Sequence, residues 1–238
     1  TILCTPDRRA VTTLNGHRVR HLFQLFRPDL SLHTFKEVYH LLTRLGSRSE
    51  IHSPTPATTT RNRWATREDL LTALRHTFRI QTEQYSDPLN KSLHSNTYHS
   101  LYPEDTVFSS SGSNIPHTWQ GTKIANPEYD HECMRRAIEH AITSAHLTAP
   151  HTPSATILIL PRWENTPYRH SKYISSPYTH HLYTLPNDAN TFLPPDQHTG
   201  TPTPTPFGTR WMVDIYLVAN PLALSTLPSQ TAMTALHN

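Results

Sequence analysis

Between residues 17 and 46, apolar side chains recur at helical spacing. In HRVRHLFQLFRPDLSLHTFKEVYHLLTRLG, Leu22, Phe23, Leu25 and Phe26 form one cluster and Pro28 interrupts it. Phe35, Val38, Tyr39, Leu41, Leu42 and Leu45 then resume the period. Gly46 suits a helix C-cap, and SRSEIHSPTPATTT reads as a linker. A second helix is predicted after Thr66, with Glu68 and Asp69 in its first turn and Leu70, Leu71, Leu74 and Phe78 on its buried face.

The period then changes. FRIQTEQY alternates like a strand and stops at SDPLN, residues 86–90. Residues 91–121 read as a polar loop, with SSSGS at 109–113. TKIA predicts a short strand ending at Asn126. Cys133, Met134, Ala137, Ile138, Ala141 and Ile142 give the following helix its apolar face. ATILILP, residues 155–161, is apolar throughout, as a strand covered on both faces must be. THHLYTLP and RWMVDIYLVAN predict two more strands, and the TPTPTP tract at 201–206 is an extended Pro-rich loop between them. Strand and helix alternate from 80 to 165, which is an α/β pattern with a mainly parallel sheet and an antiparallel edge. Ligands of such sheets sit beyond the carboxyl ends of the strands. Three of those ends carry polar or aromatic groups: Ser86–Asn90, Asn126–Tyr129 and Pro161–Asn165. In a parallel sheet they converge on one crevice.

Composition adjusts this reading more than it redirects it. A length of 238 residues fits one large domain with a small extension. The 21 prolines, 18 histidines and abundant threonines share A/C-rich codons, so nucleotide skew accounts for part of the histidine count. His131 and the His180-His181 pair lack zinc-type spacing and read as solvated side chains; no metal is expected. Two cysteines, Cys4 and Cys133, fit a reduced compartment. No apolar run approaches a membrane span. The opening TILCTPDRRA is not a signal peptide, and without an initiator methionine the start is expected to be missing or processed. Residues 1–79 hold 13 Lys/Arg against 6 Asp/Glu, a balance of +7, whereas the remainder balances at −4. The basic front half suits contact with phosphates or with an acidic protein surface.

The chemistry centres on Asn126-Pro127-Glu128-Tyr129. The exocyclic amine of a nucleobase is a poor nucleophile, because its lone pair is delocalised into the ring. A site that methylates it must accept hydrogen bonds from that amine. The Asn126 side-chain oxygen and the Pro127 carbonyl can both do so, and the proline fixes the direction of its carbonyl. An open Tyr129 ring then stacks on the base, worth roughly 1–3 kcal/mol. The plainer reading is a turn, since Asn-Pro is a common turn initiator. Trp119 and Trp163 are candidates to flank a base, whereas Trp211 and Tyr216 read as core. Asp130 and Glu132 read as caps on the positive end of the Cys133 helix. Arg135 and Arg136 read as a solvated face.

QTEQYSDPLN, SLYPEDTVFSSSGS, ANPEYDHECMRRAIEHA and TILILPRWEN, in this order and spacing, resemble the phosphorylated-CTD-interacting-factor family of cap-specific adenosine N6-methyltransferases. FKEVYHLLTRLG and NRWATREDLLTALRHTF resemble its helical region. The resemblance covers roughly residues 33–220 and implies a class I, Rossmann-like methyltransferase fold. S-adenosylmethionine is the implied methyl donor, and adenosine beside an mRNA cap the implied acceptor. Asn126, Pro127 and Tyr129 match the family's adenine site, with Glu128 completing the tetrad. Pro161, Arg162 and Trp163 match the wall of that pocket on the substrate side. Ser86, Pro88, Leu89 and Asn90 match a turn near the cofactor. The implied organisation is a helical region over 1–60, a methyltransferase-like domain over 61–225 and a tail over 226–238. A nuclear location follows from the family, and a mitochondrial one is the alternative raised by the codon skew.

The departures fall in the pocket. Glu128 replaces a proline. Arg162 and Glu164 exchange the charges of the family's Glu and Arg. Ser109 stands where glycine is expected, and six glycines in all are few for a close cofactor site. The family's phosphopeptide-binding WW module has no counterpart in this sequence. Two readings therefore stand: an active RNA adenosine methyltransferase, or an inactive methyltransferase fold serving as a structural or RNA-contacting subunit of an assembly.

Overall fold

The computed structural model describes residues 2–4, 10–13, 22, 24–26, 65–88, 91–92, 95, 97–113, 117–163, 168, 171–187, 192–193 and 211–227. Most of the helical pattern at 17–46, the linker after it, Leu89, Asn90, Glu164 and the TPTPTP tract lie outside the described residues.

The chain forms ten strands and four α-helices among those residues. β1 (Ile2–Cys4) and β2 (Ala10–Thr13) make an antiparallel pair that the apolar pattern does not foretell. β3 (Ala65–Thr66) leads into α1 (Glu68–Phe78), then β4 (Thr82–Gln84), β5 (Thr97–His99) and a 3-10 helix at Pro103–Phe108. β6 (Gly121–Ala125), α2 (His131–Thr148), β7 (Ser154–Pro161), α3 (Ser171–Ile174) and β8 (Thr179–Leu185) follow. β9 (Phe192–Leu193) pairs with β3, and β10 (Val213–Ala219) and α4 (Pro221–Thr226) complete the body. No helix among the described residues is long and apolar enough to cross a membrane.

Six strands form one mixed sheet in the order β5-β4-β6-β7-β10-β8. The first four run parallel, and β10 runs against both of its neighbours. The reversed strand therefore lies inside the sheet rather than at the expected edge. β7 is buried at all eight positions and β10 at all seven, as their largely apolar sequences favour.

Register sorts the side chains into two layers. Ile124, Ile157, Ile159, Val213, Ile215 and Leu217 face α1, which contributes Leu71, Leu74 and Phe78. Ala125, Leu158, Leu160, Tyr216 and Val218 face α2, which contributes Met134, Ala137, Ile138, Ala141 and Ala145. Each fully buried Leu, Ile or Phe adds roughly 1.5–3 kcal/mol. The alanines on α2 let the helix backbone approach the sheet closely. At the end of the sheet away from the marked turns, buried Asn220 joins three elements. Its side-chain oxygen accepts from Ala223 N at 2.9 Å and its amide donates to Thr152 O at 2.7 Å and Thr148 Oγ1 at 3.1 Å.

Two expectations need correction. FRIQTEQY is not one strand: Phe78 closes α1, Arg79 takes the left-handed C-cap conformation at φ 52°, and only Thr82–Gln84 are extended. All three of those residues are buried, so the apparent alternation is not a solvent-facing pattern. Residues 91–121 are more than a loop. They supply β5 and the 3-10 helix, and they bury Tyr98, Val107, Phe108 and Trp119. Polar neighbours hide these elements because Ser100, Asp105 and Ser110 are buried as a hydrogen-bonded set.

Candidate functional site

The chain leaves β4 towards β5 on one side and then crosses to β6 on the other. That reversal is a topological switch point, beyond the carboxyl ends of β4 and β6, where sheets of this kind place their ligands. β7 is the next parallel neighbour. The Ser86 turn, the Asn126 turn and the Arg162 turn therefore share one rim, as the three marked strand ends require.

On the β4 side, Tyr85 follows the strand at φ 60°, a conformation that is rare for a bulky residue. Strain of this kind amounts to roughly 1–3 kcal/mol and persists only where surroundings enforce it. The enforcing group is Glu83, whose carboxylate is buried beneath the turn. It pairs with Arg75 from α1 and accepts from Ser86 Oγ at 2.8 Å, from Ser92 N at 3.2 Å and from the Ser95 hydroxyl. Lys91 Nζ donates to the Ser92 and Ser95 carbonyls, each at 3.0 Å. Ser86 and Pro88 are themselves buried, and Asp87 between them is half-buried.

On the β6 side, Pro127 is buried and Asn126 and Glu128 are half-buried. The Asp130 carboxylate caps α2, accepting from Glu132 N at 2.9 Å and Cys133 N at 3.0 Å. Arg135 and Arg136 are tied to Glu132, and Arg135 also to Glu139. Tyr129 does not lie open. It is half-buried, with edge-on contacts to Phe192 at 5.6 Å and Trp163 at 6.2 Å. Its hydroxyl is enclosed with no hydrogen-bond partner among the described residues, and burial pushes the phenol well above the usual tyrosine range. Its apolar packing against both core layers is what a tyrosine between Asn-Pro and a helix start gains by turning inward.

On the β7 side, Arg162 turns back into the sheet. Its guanidinium holds Asp214 of β10 through Nε at 2.9 and 3.0 Å and through Nη2, which also reaches Thr184 of β8. Asp214 is fully buried. The exchanged charge in PRWEN thus has a cause: the carboxylate inside β10 takes the arginine. Trp163 remains at the rim, half-buried, with edge contacts to Tyr129, His131 and Trp211. Trp119 does not flank a base; it is 1% exposed and packs in the core beneath Tyr85.

A family model described as phosphorylated CTD interacting factor 1 WW domain matches residues 18–194, about three quarters of the chain. The chain belongs to this family. The matched stretch includes α1, the parallel strands β4 to β7 and α2, so the α/β body itself carries the match. None of the curated proteins compared matches the chain.

Within this family member, Glu128, Asp130 and Cys133 bring possible ligand atoms within 4.8 Å of one another. Asp130 is committed to the helix cap, and burial followed by the Asp130 carboxylate drives the Cys133 thiol up. Ser109, in the place of an expected glycine, sits at φ 65° as the C-cap of the 3-10 helix. The backbone there asks for glycine, and serine carries the strain. Sequence reading missed Glu83, Arg75 and Asp214. A lone acid inside the apolar run VDIYLVA was the available signal, since a carboxylate there needs a buried partner.

Proposed function

We propose that this chain is a class I methyltransferase-type domain that binds S-adenosylmethionine in the crevice beyond β4 and β6 and receives an RNA adenosine at Asn126. The observation that carries this reading is the meeting of the Ser86 and Asn126 turns at the switch point of a mainly parallel sheet. The rim fits a nucleoside cofactor. Gln84 Oε1 and the Tyr85 hydroxyl, at the end of β4, are enclosed without partners among the described residues. The hydroxyl and amino groups of a nucleoside are what such atoms bind. Ser86 and Pro88 shape the turn around it, with Leu89 and Asn90 following. S-adenosylmethionine supplies the methyl group when bound.

The Asn126 side-chain oxygen and the Pro127 carbonyl accept hydrogen bonds from the exocyclic amine and hold its nitrogen in line for transfer. Trp163, with Pro161 at its back, forms the wall for the base. Arg162 fixes that wall through Asp214 rather than touching the acceptor. Glu128 adds a third acceptor at the cost of repelling phosphates. The family is described by its interaction with a phosphorylated CTD, which favours a nuclear setting.

Tyr129 favours a second reading. Its inward ring and enclosed hydroxyl narrow the place where a base stacks. In this reading the fold binds RNA or protein as a subunit and transfers nothing.

Calorimetric titration with S-adenosylmethionine, followed by methyl-label transfer to a capped oligoribonucleotide beginning in adenosine, separates the two. Activity predicts saturable binding, labelled N6-methyladenosine, and a roughly hundredfold fall in turnover for Asn126→Ala with cofactor affinity kept. Cofactor binding without product selects the inactive subunit. Absence of cofactor binding removes both the activity and the cofactor site.

A further inference from the structure

In-register pairing puts Thr97 and His99 of β5, Thr82 and Gln84 of β4, Lys123 of β6 and Thr156 of β7 on the sheet face that carries α2. α2 packs over β7 and β10. Towards the β5 edge this face is more open: Thr97 and His117 are exposed, and Lys123 and His99 are half-buried. Lys123 stands between Thr82 and Thr156, whose side chains are neutral. Nothing among the described residues pairs with its ammonium, and burial alone pulls it below the ordinary lysine value. His99 Nδ1 is enclosed without a hydrogen-bond partner. Burial, then the Lys123 charge, holds this imidazole below its usual value, and His117 adds to the effect.

The surrounding sequence contains almost no acid. From Pro88 to Pro127 the only carboxylates are Glu104 and Asp105. Asp105 is buried and accepts from the Ser100 hydroxyl. Glu83 points to the opposite face, under α1. A half-buried lysine beside His99, which His117 also approaches, with no countercharge is complementary to an anion. A phosphate there offsets the desolvation of Lys123 and favours the protonated, donating form of His99. The patch lies three residues before Asn126 along β6, a distance of roughly 10 Å.

We propose that Lys123, together with its neighbour His99, binds a phosphate of the RNA strand whose base is presented at Asn126. The proposal rests on the RNA reading above and adds the track along which the strand runs, over the α2 face towards the β5 edge.

The test is fluorescence anisotropy of a short labelled oligoribonucleotide, read across roughly 50–200 mM salt. Lys123→Met is expected to weaken binding roughly fivefold at the low-salt end and to make the slope of log K against log salt shallower by about 0.7, the value for one phosphate contact on a single strand. Lys123→Arg keeps both. Thr97→Lys, at an exposed position on the same face, steepens the slope by about 0.7. Melting curves of all three variants establish that they fold. If the wild type binds RNA and neither Lys123→Met nor Thr97→Lys changes the slope, this patch is not the track. If the wild type binds no RNA, the RNA reading falls together with the patch.

Discussion

Replacing Arg75 by methionine is expected to destabilise the protein by about 3 kcal/mol and to unfix the turn after β4. The reason is Glu83, which is 5% exposed and whose carboxylate has Arg75 as its paired cation. Removing a partner from a buried pair leaves an uncompensated charge, typically at about 3–5 kcal/mol. Two features set the expectation at the lower end. Ser86, Ser92 and Ser95 still donate to the carboxylate, and the Lys91 charge also reaches Glu83. Urea unfolding measures the loss. Hydrogen exchange adds a local readout: the Ser92 and Ser95 amides should lose protection before the core of β7 does. The double variant Arg75→Met, Glu83→Leu should recover most of the stability, because replacing both partners by apolar groups removes the stranded charge. If the proposed cofactor site at this turn is right, the double variant should not recover S-adenosylmethionine binding, because the turn then lacks its anchor. A loss below about 1 kcal/mol for Arg75→Met would mean that the pair behaves like a surface one.

The same network shows what was legible in the sequence and what was not. β7, β10 and α2 could be read directly, since an unbroken apolar run and a 3.6-residue apolar stripe each leave one way to be buried. Their order also made the shared rim legible, because parallel strands place their turns together. β5 was hidden, because Thr97–His99 is three residues long and is flanked by two buried serines, Ser95 bonded to Glu83 and Arg75, and Ser100 bonded to Asp105 and Ser110. Nothing in the local pattern separates a buried serine from a solvated one. The inward turn of Tyr129 was hidden for a similar reason. Its partners Phe192 and Trp163 come from distant parts of the chain, and the core decides which way an aromatic at a strand end points. Arg162 was legible as a charge exchange but not as a bond, since its partner Asp214 is 52 residues away. The pairing of β7 with β10 is what joins them.

Arg162→Met is expected to cost about 3–5 kcal/mol at neutral pH, and Asp214→Asn clearly less. The asymmetry follows from burial. Asp214 is fully enclosed, whereas the Arg162 side chain is 29% exposed and keeps access to water when its partner is lost. The pH dependence gives a sharper test. Burial alone would raise the Asp214 carboxyl, but its bonds to Arg162 and Thr184 outweigh that and hold it below the ordinary carboxylate value. A group depressed by folding adds stability above its unfolded value, and that stability is lost as pH falls through the folded value. Wild-type protein should therefore weaken below about pH 4. In Arg162→Met the largest interaction opposing burial is gone and the Thr184 bond remains, so the carboxyl is expected to rise above its unfolded value. Its protonation on acidification then relieves the variant above about pH 4, where the wild-type carboxylate still contributes its full stability. The difference in unfolding free energy between the two proteins should be greatest near pH 7 and shrink steadily towards pH 4. Urea titrations at several pH values read it directly. A difference that stays constant over that range would mean that Asp214 is not the charge Arg162 neutralises, and the wall behind Trp163 would then need another anchor.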